Sequence, residues 1–278
     1  MIRIVTDSSS DYIIEDANKL NFEIVPLNIR FNEDSYIDVV ELSKDEFYKK
    51  LTTLDITPQT SQPSPESFVK LFTEAKENGD EVICLLISSK LSGTLQSATL
   101  AKQMVDYEKI HIFDTKQTTI GLRILVKEAV RLRDENHSSS EIIEAIKALS
   151  QRVMIRISPD TLDYLHKGGR LSSKERFLGN LLKIKPIIEL NDGVVKIFGK
   201  SRGVKGACEK MVEDILSCGF DPEYGIYGAF STELKNTDIL GNVLKNKADL
   251  DIDELCQIGP VVGTHLGPGS FGLVYVRK

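Results

Sequence analysis

Hydroxyl-bearing residues gather where the apolar runs of this sequence stop. Ile2-Arg3-Ile4-Val5 leads into Thr6-Asp7-Ser8-Ser9-Ser10, the run 82–87 into Ser88-Ser89-Lys90-Leu91-Ser92-Gly93-Thr94, and the run 109–113 into Asp114-Thr115. A separate loop, Thr60-Ser61-Gln62-Pro63-Ser64, precedes a helix-like segment. In an open parallel sheet, ligands sit outside the carboxyl ends of the strands. Hydroxyls and free N–H groups at helix N-termini there can hold an anion without a fixed positive charge. Ser92-Gly93 is the sharpest candidate, because glycine lets the backbone come close to a ligand. Serine and threonine also cap helices and close turns, so any one of these loops taken alone reads as capping.

Three other groups of residues could do chemistry. His265 lies in Gly263-Thr264-His265-Leu266-Gly267-Pro268-Gly269, where it can donate to an anion, move a proton, or simply cap a turn. His111 reads as a strand residue and His137 as a helix-end residue, and His166 has a weak setting too. Asp7 and Asp114 follow strands, where a magnesium-dependent enzyme keeps its acids. No third carboxylate or general base completes that set, so both read as acids that order their loops. Lys167-Gly168-Gly169-Arg170-Leu171-Ser172 places two glycines between two cations. It reads either as a joint between helices with Gly168 at C′ or as a tight turn that aims Arg170 at a phosphate or carboxylate.

Two nucleotide-site patterns fail on inspection. Gly267-Pro268-Gly269-Ser270-Phe271-Gly272 matches G-x-G-x-x-G but leads into the β-like Leu273-Val274-Tyr275-Val276, not into a long helix that could face a pyrophosphate. Gly193 to Ser201 imitates a P-loop, yet Val194, Val195, Ile197 and Phe198 suit a strand, and a phosphate cradle needs small residues. Cys84, Cys208, Cys218 and Cys256 show no Cys-x-x-Cys spacing, so neither a zinc site nor a disulfide framework is expected.

These residues must be positioned by a chain of 278 residues, 41% hydrophobic and 27% charged, a composition that buries a core and excludes bulk disorder. The first half alternates. β-like runs at 2–6, 22–30, 82–87 and 109–113 are interleaved with helix-like segments at 11–20, 44–54, 65–78, 93–107 and 117–136. Ser43 with Glu46 forms a capping box, and Ser64-Pro65 reads as an N-cap followed by proline at N1. The alternation predicts a mostly parallel sheet flanked by helices over 1–155. The second half, 156–278, reads as an α+β domain with a mainly antiparallel sheet. It comprises a helix at 172–184, a hairpin turning at Asn191-Asp192-Gly193, helices at 204–217 and 232–247, and strands near 224–230 and 273–277. The longest apolar run, 82–87, is far short of the ~20 residues of a membrane span. No signal-like segment follows the N-terminus, so the expected compartment is the cytoplasm.

Charge is unevenly distributed. The net value is −6, yet Lys167 to Lys205 carries ten Lys/Arg against three acids, which leaves the rest of the chain strongly acidic. Such a segment reads as a site for an anion or an acidic partner, or as a solvated surface. It carries no nucleic-acid motif and few aromatics.

In combination the motifs become specific. Ile4-Val5-Thr6-Asp7-Ser8, Thr60-Ser61-Gln62-Pro63-Ser64, Ser88 to Thr94, Lys167-Gly168-Gly169-Arg170, Leu181-Leu182-Lys183-Ile184-Lys185-Pro186 and Gly263 to Gly269 occur in this order. The chain resembles the DegV family of bacterial fatty-acid-binding proteins over nearly its whole length. The resemblance implies a two-domain carrier, not an enzyme, that buries one long-chain fatty acid such as palmitate and needs no cofactor or metal. It implies carboxylate binding by Thr60 and Ser92, with Ser61, the Gly93 backbone and His265 alongside. A separate fatty-acid kinase would then make an acyl-phosphate for phospholipid synthesis, with Arg170 and Arg202 contacting the partner or the phosphate. Two other readings remain open at this stage: a phosphotransferase of related fold that uses His265 or Asp114, and a regulatory nucleic-acid-binding protein that uses the basic segment 167–205.

Overall fold

The computed structural model describes residues 1–54, 56–171 and 184–278. The protein is α/β, and its described residues form three sheets. The first sheet contains β1 (Ile2–Asp7), β2 (Glu23–Val25), β6 (Glu81–Leu86) and β7 (Ile110–Asp114), all parallel in the order β2-β1-β6-β7. The alternate residues of β6 serve two cores. Ile83 and Leu85 face α5 (Thr119–Asp134) and α6 (Ser139–Ser150), while Val82, Cys84 and Leu86 face α3 (Pro65–Asn78) and α4 (Thr94–Val105). A strand covered on both faces must be apolar at every position, which is why 82–87 reads as an unbroken run.

The second sheet is antiparallel except at one edge. It contains β8 (Val153–Ser158), β9 (Ile184–Asn191), β10 (Val194–Arg202), β11 (Ile226–Phe230), β12 (Glu254–Gln257) and β13 (Phe271–Val276), in the order β10-β9-β8-β13-β11-β12. Only β11 and β12 run parallel. The strand alternation again divides the side chains. Ile155, Ile157, Ile188, Val195 and Val274 face the central core shared with α5 and α6. Ile187, Leu273 and Tyr275 face α8 (Gly203–Cys218) and α9 (Lys235–Ala248). On that second face, Arg156 is 3% exposed, lies 3.1 Å from Glu189 and 2.8 Å from Asp214, and stacks 4.1 Å from the Phe198 ring. The Tyr275 hydroxyl donates to Asp214 at 2.7 Å, closing this network.

Several local readings are realised and several are corrected. The Ser43–Glu46 capping box starts α2 (Lys44–Thr53), and the hairpin turns at Asp192 (φ 50°) and Gly193 (φ 78°), a pair of positive φ values that suits the two-residue turn. The 22–30 run is two strands, not one. Pro26 lies between β2 and β3 (Asn28–Phe31), which leaves the first sheet and joins β4 (Asp34–Ile37) and β5 (Gln59–Ser61) in a small antiparallel sheet. Ser64 makes no side-chain cap, although Pro65 does occupy N1. Helix α6 went unread, although Ser138 and Glu141 form a second capping box. Gly168 is not the left-handed residue of its joint: it is right-handed at φ −74°, and Gly169 takes φ +72°. The glycine-rich stretch 263–269 is not all loop, since α10 (Pro260–Leu266) occupies its first half, with Pro260 in its first turn. Gly263 is there for packing, because a Cβ would lie 2.6 Å from the Tyr48 hydroxyl. Strand β10 occupies the P-loop-like stretch, which therefore forms no phosphate loop although α8 follows it, and Gly267–Gly272 feeds β13 and opens no helix. The expected domain boundary, residue 155, falls inside β8. The expected helix 172–184 lies almost entirely outside the described residues.

Candidate functional site

The carboxyl ends of β1, β6 and β7 are bound together by their own acids. Asp7 accepts from the Ser9 amide (3.0 Å), the Ser9 hydroxyl (2.5 Å) and the Ile87 amide (2.7 Å). Full burial nonetheless pushes its carboxyl up to about 6. Asp114 accepts from the Ser89 amide and hydroxyl and from the Lys116 amide. Both acids order loops, and no group of three His, Cys, Asp or Glu placed to hold a metal ion occurs among the described residues.

The loops so ordered converge with segments from far along the chain. Thr60 is the middle residue of β5, paired with Ile29, and its hydroxyl lies 2.9 Å from His265 Nε2 in the last turn of α10. Gln62, two residues on, donates to Ser97 at 2.8 Å. Its side chain lies so close to Gly93 that a Cβ there would fall 1.8 Å from Oε1. Gly93 therefore lets the 60–64 loop dock on the start of α4. Ser92 contacts Thr94 through their hydroxyls at 2.8 Å. The Arg170 guanidinium donates to the Leu91 carbonyl at 3.0 Å and to the Gly168 carbonyl. Gly168 sits against the His265 ring, since a Cβ there would lie 2.1 Å from Nδ1.

Thr60, Ser92, Arg170 and His265 line one cavity of about 650 Å³ of atom-free space, its open mouth included. The remaining wall is largely aliphatic: Leu27, Ile87 and Leu91 on one side, Ile155, Ile157, Ile188 and Val195 from the second sheet, and Val261, Val262 and Leu266 from α10. The β9–β10 hairpin is held over this wall at its tip. Ser88 donates to the Gly193 carbonyl at 2.8 Å, and Lys116 pairs with Asp192. Burial, then the nearby Arg170 charge, depresses His265 to about 3, so its ring is neutral at physiological pH. Its Nδ1 is buried without a hydrogen-bond partner among the described residues.

The structure thus brings together four of the expected residues. Ser61 is exposed at the end of β5, Gly93 contributes as the first residue before α4, and Arg202 is exposed at the end of β10, away from the cavity wall. Thr118 and Thr119 were missed. They follow Asp114-Thr115 and line the cavity, and the buried Thr118 hydroxyl has no hydrogen-bond partner among the described residues. The hydroxyl-after-strand signal that picked Thr115 extends to both. Thr119 also takes φ +48°, a rare conformation for a β-branched residue, with its hydroxyl bonded to Asp11.

Comparison with known proteins gives a consistent outcome. The family model described as "Uncharacterised protein, DegV family" matches residues 1–278. A DegV domain-containing protein of Caldanaerobacter subterraneus is 36% identical over 281 residues, covering 100% of this chain and 99% of that protein. A structure described as fatty acid binding of a DegV family protein from Thermus thermophilus superposes with a TM-score of 0.88 at 32% identity, covering 100% of this chain and 99% of that one. A fatty-acid (stearic acid)-binding protein from Eubacterium ventriosum superposes with a TM-score of 0.88 at 27% identity and the same coverage. No helix among the described residues is long and apolar enough to cross a membrane.

Proposed function

The chain belongs to the DegV family, and from that premise we propose that it is a carrier for one long-chain fatty acid. The carboxylate is held by Thr60, Ser92 and His265 and the acyl chain lies along the aliphatic wall of the cavity. The observation that carries this reading is the cavity itself, whose wall is largely aliphatic and also carries Thr60, Ser92, Thr118, Thr119, Arg170 and His265. With His265 neutral and donating from Nε2, the Thr60 oxygen accepts and its own proton is free for a ligand oxygen. Ser92 offers a second hydroxyl. Burial is worth about 0.8 kcal/mol per methylene, so about ten methylenes supply ~8 kcal/mol, micromolar affinity before the head group is counted.

The same proposal extends to the fate of the ligand. The protein acts in the cytoplasm and presents the carboxylate to a separate kinase that makes the acyl-phosphate. Thr60 and Ser92 are only partly buried, which supports access from the mouth. Arg202 stands on the surface, suited to a partner, whereas Arg170 stands in the cavity wall, beside the site where a phosphoryl group would reach the carboxylate. The lysines on β10 have a second use, because charge on an edge strand blocks sheet-to-sheet pairing.

The test is native mass spectrometry of protein purified from a bacterial host, followed by organic extraction. The expected result is one fatty acid per chain. If native and denatured masses differ by no lipid-sized mass and the delipidated protein takes up no palmitate, the carrier reading is wrong.

A further inference from the structure

The polar side chains that line the cavity are almost all committed. Thr60 lies against His265, Ser92 against Thr94, and the Thr119 hydroxyl donates to Asp11. The Arg170 guanidinium donates to two backbone carbonyls, and Glu189 is 3.1 Å from Arg156. Thr118 differs. It lines the same cavity and is 7% exposed, and its hydroxyl has no hydrogen-bond partner among the described residues.

Thr118 is the N-cap of α5, a helix of 16 residues. A threonine hydroxyl in that place ordinarily accepts from a first-turn amide, but here it makes no such bond. The Thr118 carbonyl still accepts from the Leu122 amide at 3.2 Å, so the backbone is in the capping position and only the hydroxyl is diverted. A buried hydroxyl left unpaired is destabilising. Valine has nearly the same shape and would fill the place without that cost.

Thr118 also stands apart from the head-group cluster. Ser92 follows β6, whereas Thr118 follows β7, the next strand of the first sheet. The first turn of α5 packs on β8, since a Cβ at Gly121 would lie 2.9 Å from Ile155 Cδ1. Ile155 belongs to the aliphatic wall of the cavity. The unpaired hydroxyl therefore stands beside the wall that suits methylenes, and a plain acyl chain offers it no partner.

We propose that Thr118 is a second polar point of the cavity, which recognises a hydroxyl group carried along the acyl chain, so that the protein takes a monohydroxylated long-chain fatty acid in preference to the plain chain. The proposal rests on the fatty-acid reading and deepens it. A hydroxyl is the matching group because each partner then has both a proton to donate and lone pairs to accept with. A site built to bond a ligand hydroxyl penalises the analogue that lacks it, because the site's own polar group is left unpaired.

In the experiment, delipidated wild type, Thr118→Val and Thr118→Ser are titrated calorimetrically with stearate and with a series of monohydroxystearates whose hydroxyl steps along the chain. Melting temperature checks the fold of each variant. In wild type, most isomers should bind more weakly than stearate, because their hydroxyl is buried against the aliphatic wall unpaired. One isomer, or two neighbours in the series, should bind about tenfold or more tighter than the rest and tighter than stearate. Thr118→Val should reverse this order, gaining affinity for stearate and losing the advantage of that isomer. Thr118→Ser keeps the hydroxyl and should keep the preference. A series with no preferred isomer, while stearate binds tightly, overturns the proposal and leaves the carrier reading standing; it is the result expected if water alone serves the Thr118 hydroxyl. A preference that survives in Thr118→Val overturns the proposal as well. If wild type binds neither stearate nor any isomer, the carrier reading itself fails and the proposal falls with it.

Discussion

Thr60→Val is the sharpest perturbation of the head-group cluster. Valine is nearly isosteric with threonine and suits a strand, so β5 should keep its pairing with Ile29. What is lost is a single oxygen with two roles. It lies 2.9 Å from His265 Nε2, and it offers its own proton toward the cavity. Hydrogen bonds to a charged group contribute about 1.5–3 kcal/mol. At about 1.4 kcal/mol per decade this weakens fatty-acid binding roughly 10- to 150-fold. Thr60→Ser keeps the hydroxyl and should stay within a few-fold of wild type. The assay is calorimetric titration of delipidated protein with palmitate at fixed ionic strength, with thermal unfolding as a check on the fold. A cycle with His265→Phe adds a second criterion. The two residues touch, so their effects should be non-additive by about 0.5–3 kcal/mol. A Thr60→Val protein that binds palmitate as wild type does would refute the assignment, and strict additivity would refute the idea that His265 orients the threonine hydroxyl.

Gly168→Ala places a methyl 2.1 Å from the His265 Nδ1 position. The ring must move off Thr60, so palmitate affinity should fall and stability should drop by about 1–3 kcal/mol; unchanged affinity and melting temperature would show that the ring is not wedged. Asp38 and Asp7 are pushed by burial to about 7 and about 6. Their stabilising contribution is therefore complete below the ordinary carboxylate range near pH 4 and is lost as pH rises through 6 to 7. Asp38→Asn removes one of these titrations, so its stability should fall less than wild type's between pH 4 and 8, by a few kcal/mol at about 1.36 kcal/mol per pH unit. Parallel stability curves in denaturant would contradict this. Arg202→Ala should leave palmitate affinity within about twofold yet slow acyl-phosphate formation by a supplied kinase, most visibly at low salt, where surface charge is least screened. Equal turnover at two ionic strengths would mean that the β10 charges serve only to protect a sheet edge.

Much of the local structure is written in neighbouring residues. Ser43 with Glu46 specifies a helix start because both partners of the capping box lie within one turn. Asp192-Gly193 specifies the hairpin because both residues tolerate positive φ. The unbroken run 82–87 announces a strand covered on both faces, and the run at 2–6 a strand beside it. Even the missed helix α6 carries its signal in Ser138 and Glu141.

The site is of a different kind. Any one hydroxyl loop reads as capping, the residues alone mark Ser92 and His265 only as candidates, and the order of six motifs, through the family resemblance, assigns Thr60, Ser92 and His265 to one head group. No spacing rule brings residues 60, 92, 170 and 265 to one cavity; the docking of Gln62 on Gly93 and of α10 on α7 (Asp163–Lys167) does that. Gly168 reads in sequence as a helix stop, yet it is small because the His265 ring occupies the place of its side chain. Arg170 reads in sequence as the end of a tight turn aimed at a phosphate or carboxylate, but only the fold shows its guanidinium bonded to the Leu91 carbonyl in the wall of the cavity. The cavity itself is a property of shape. Ile155, Ile157, Ile188 and Val195 carry the same apolar alternation as any core strand face. Sequence periodicity records that such residues leave water, whereas whether they close on one another or around a ligand is decided by the distance at which the second sheet is held from the loops of the first.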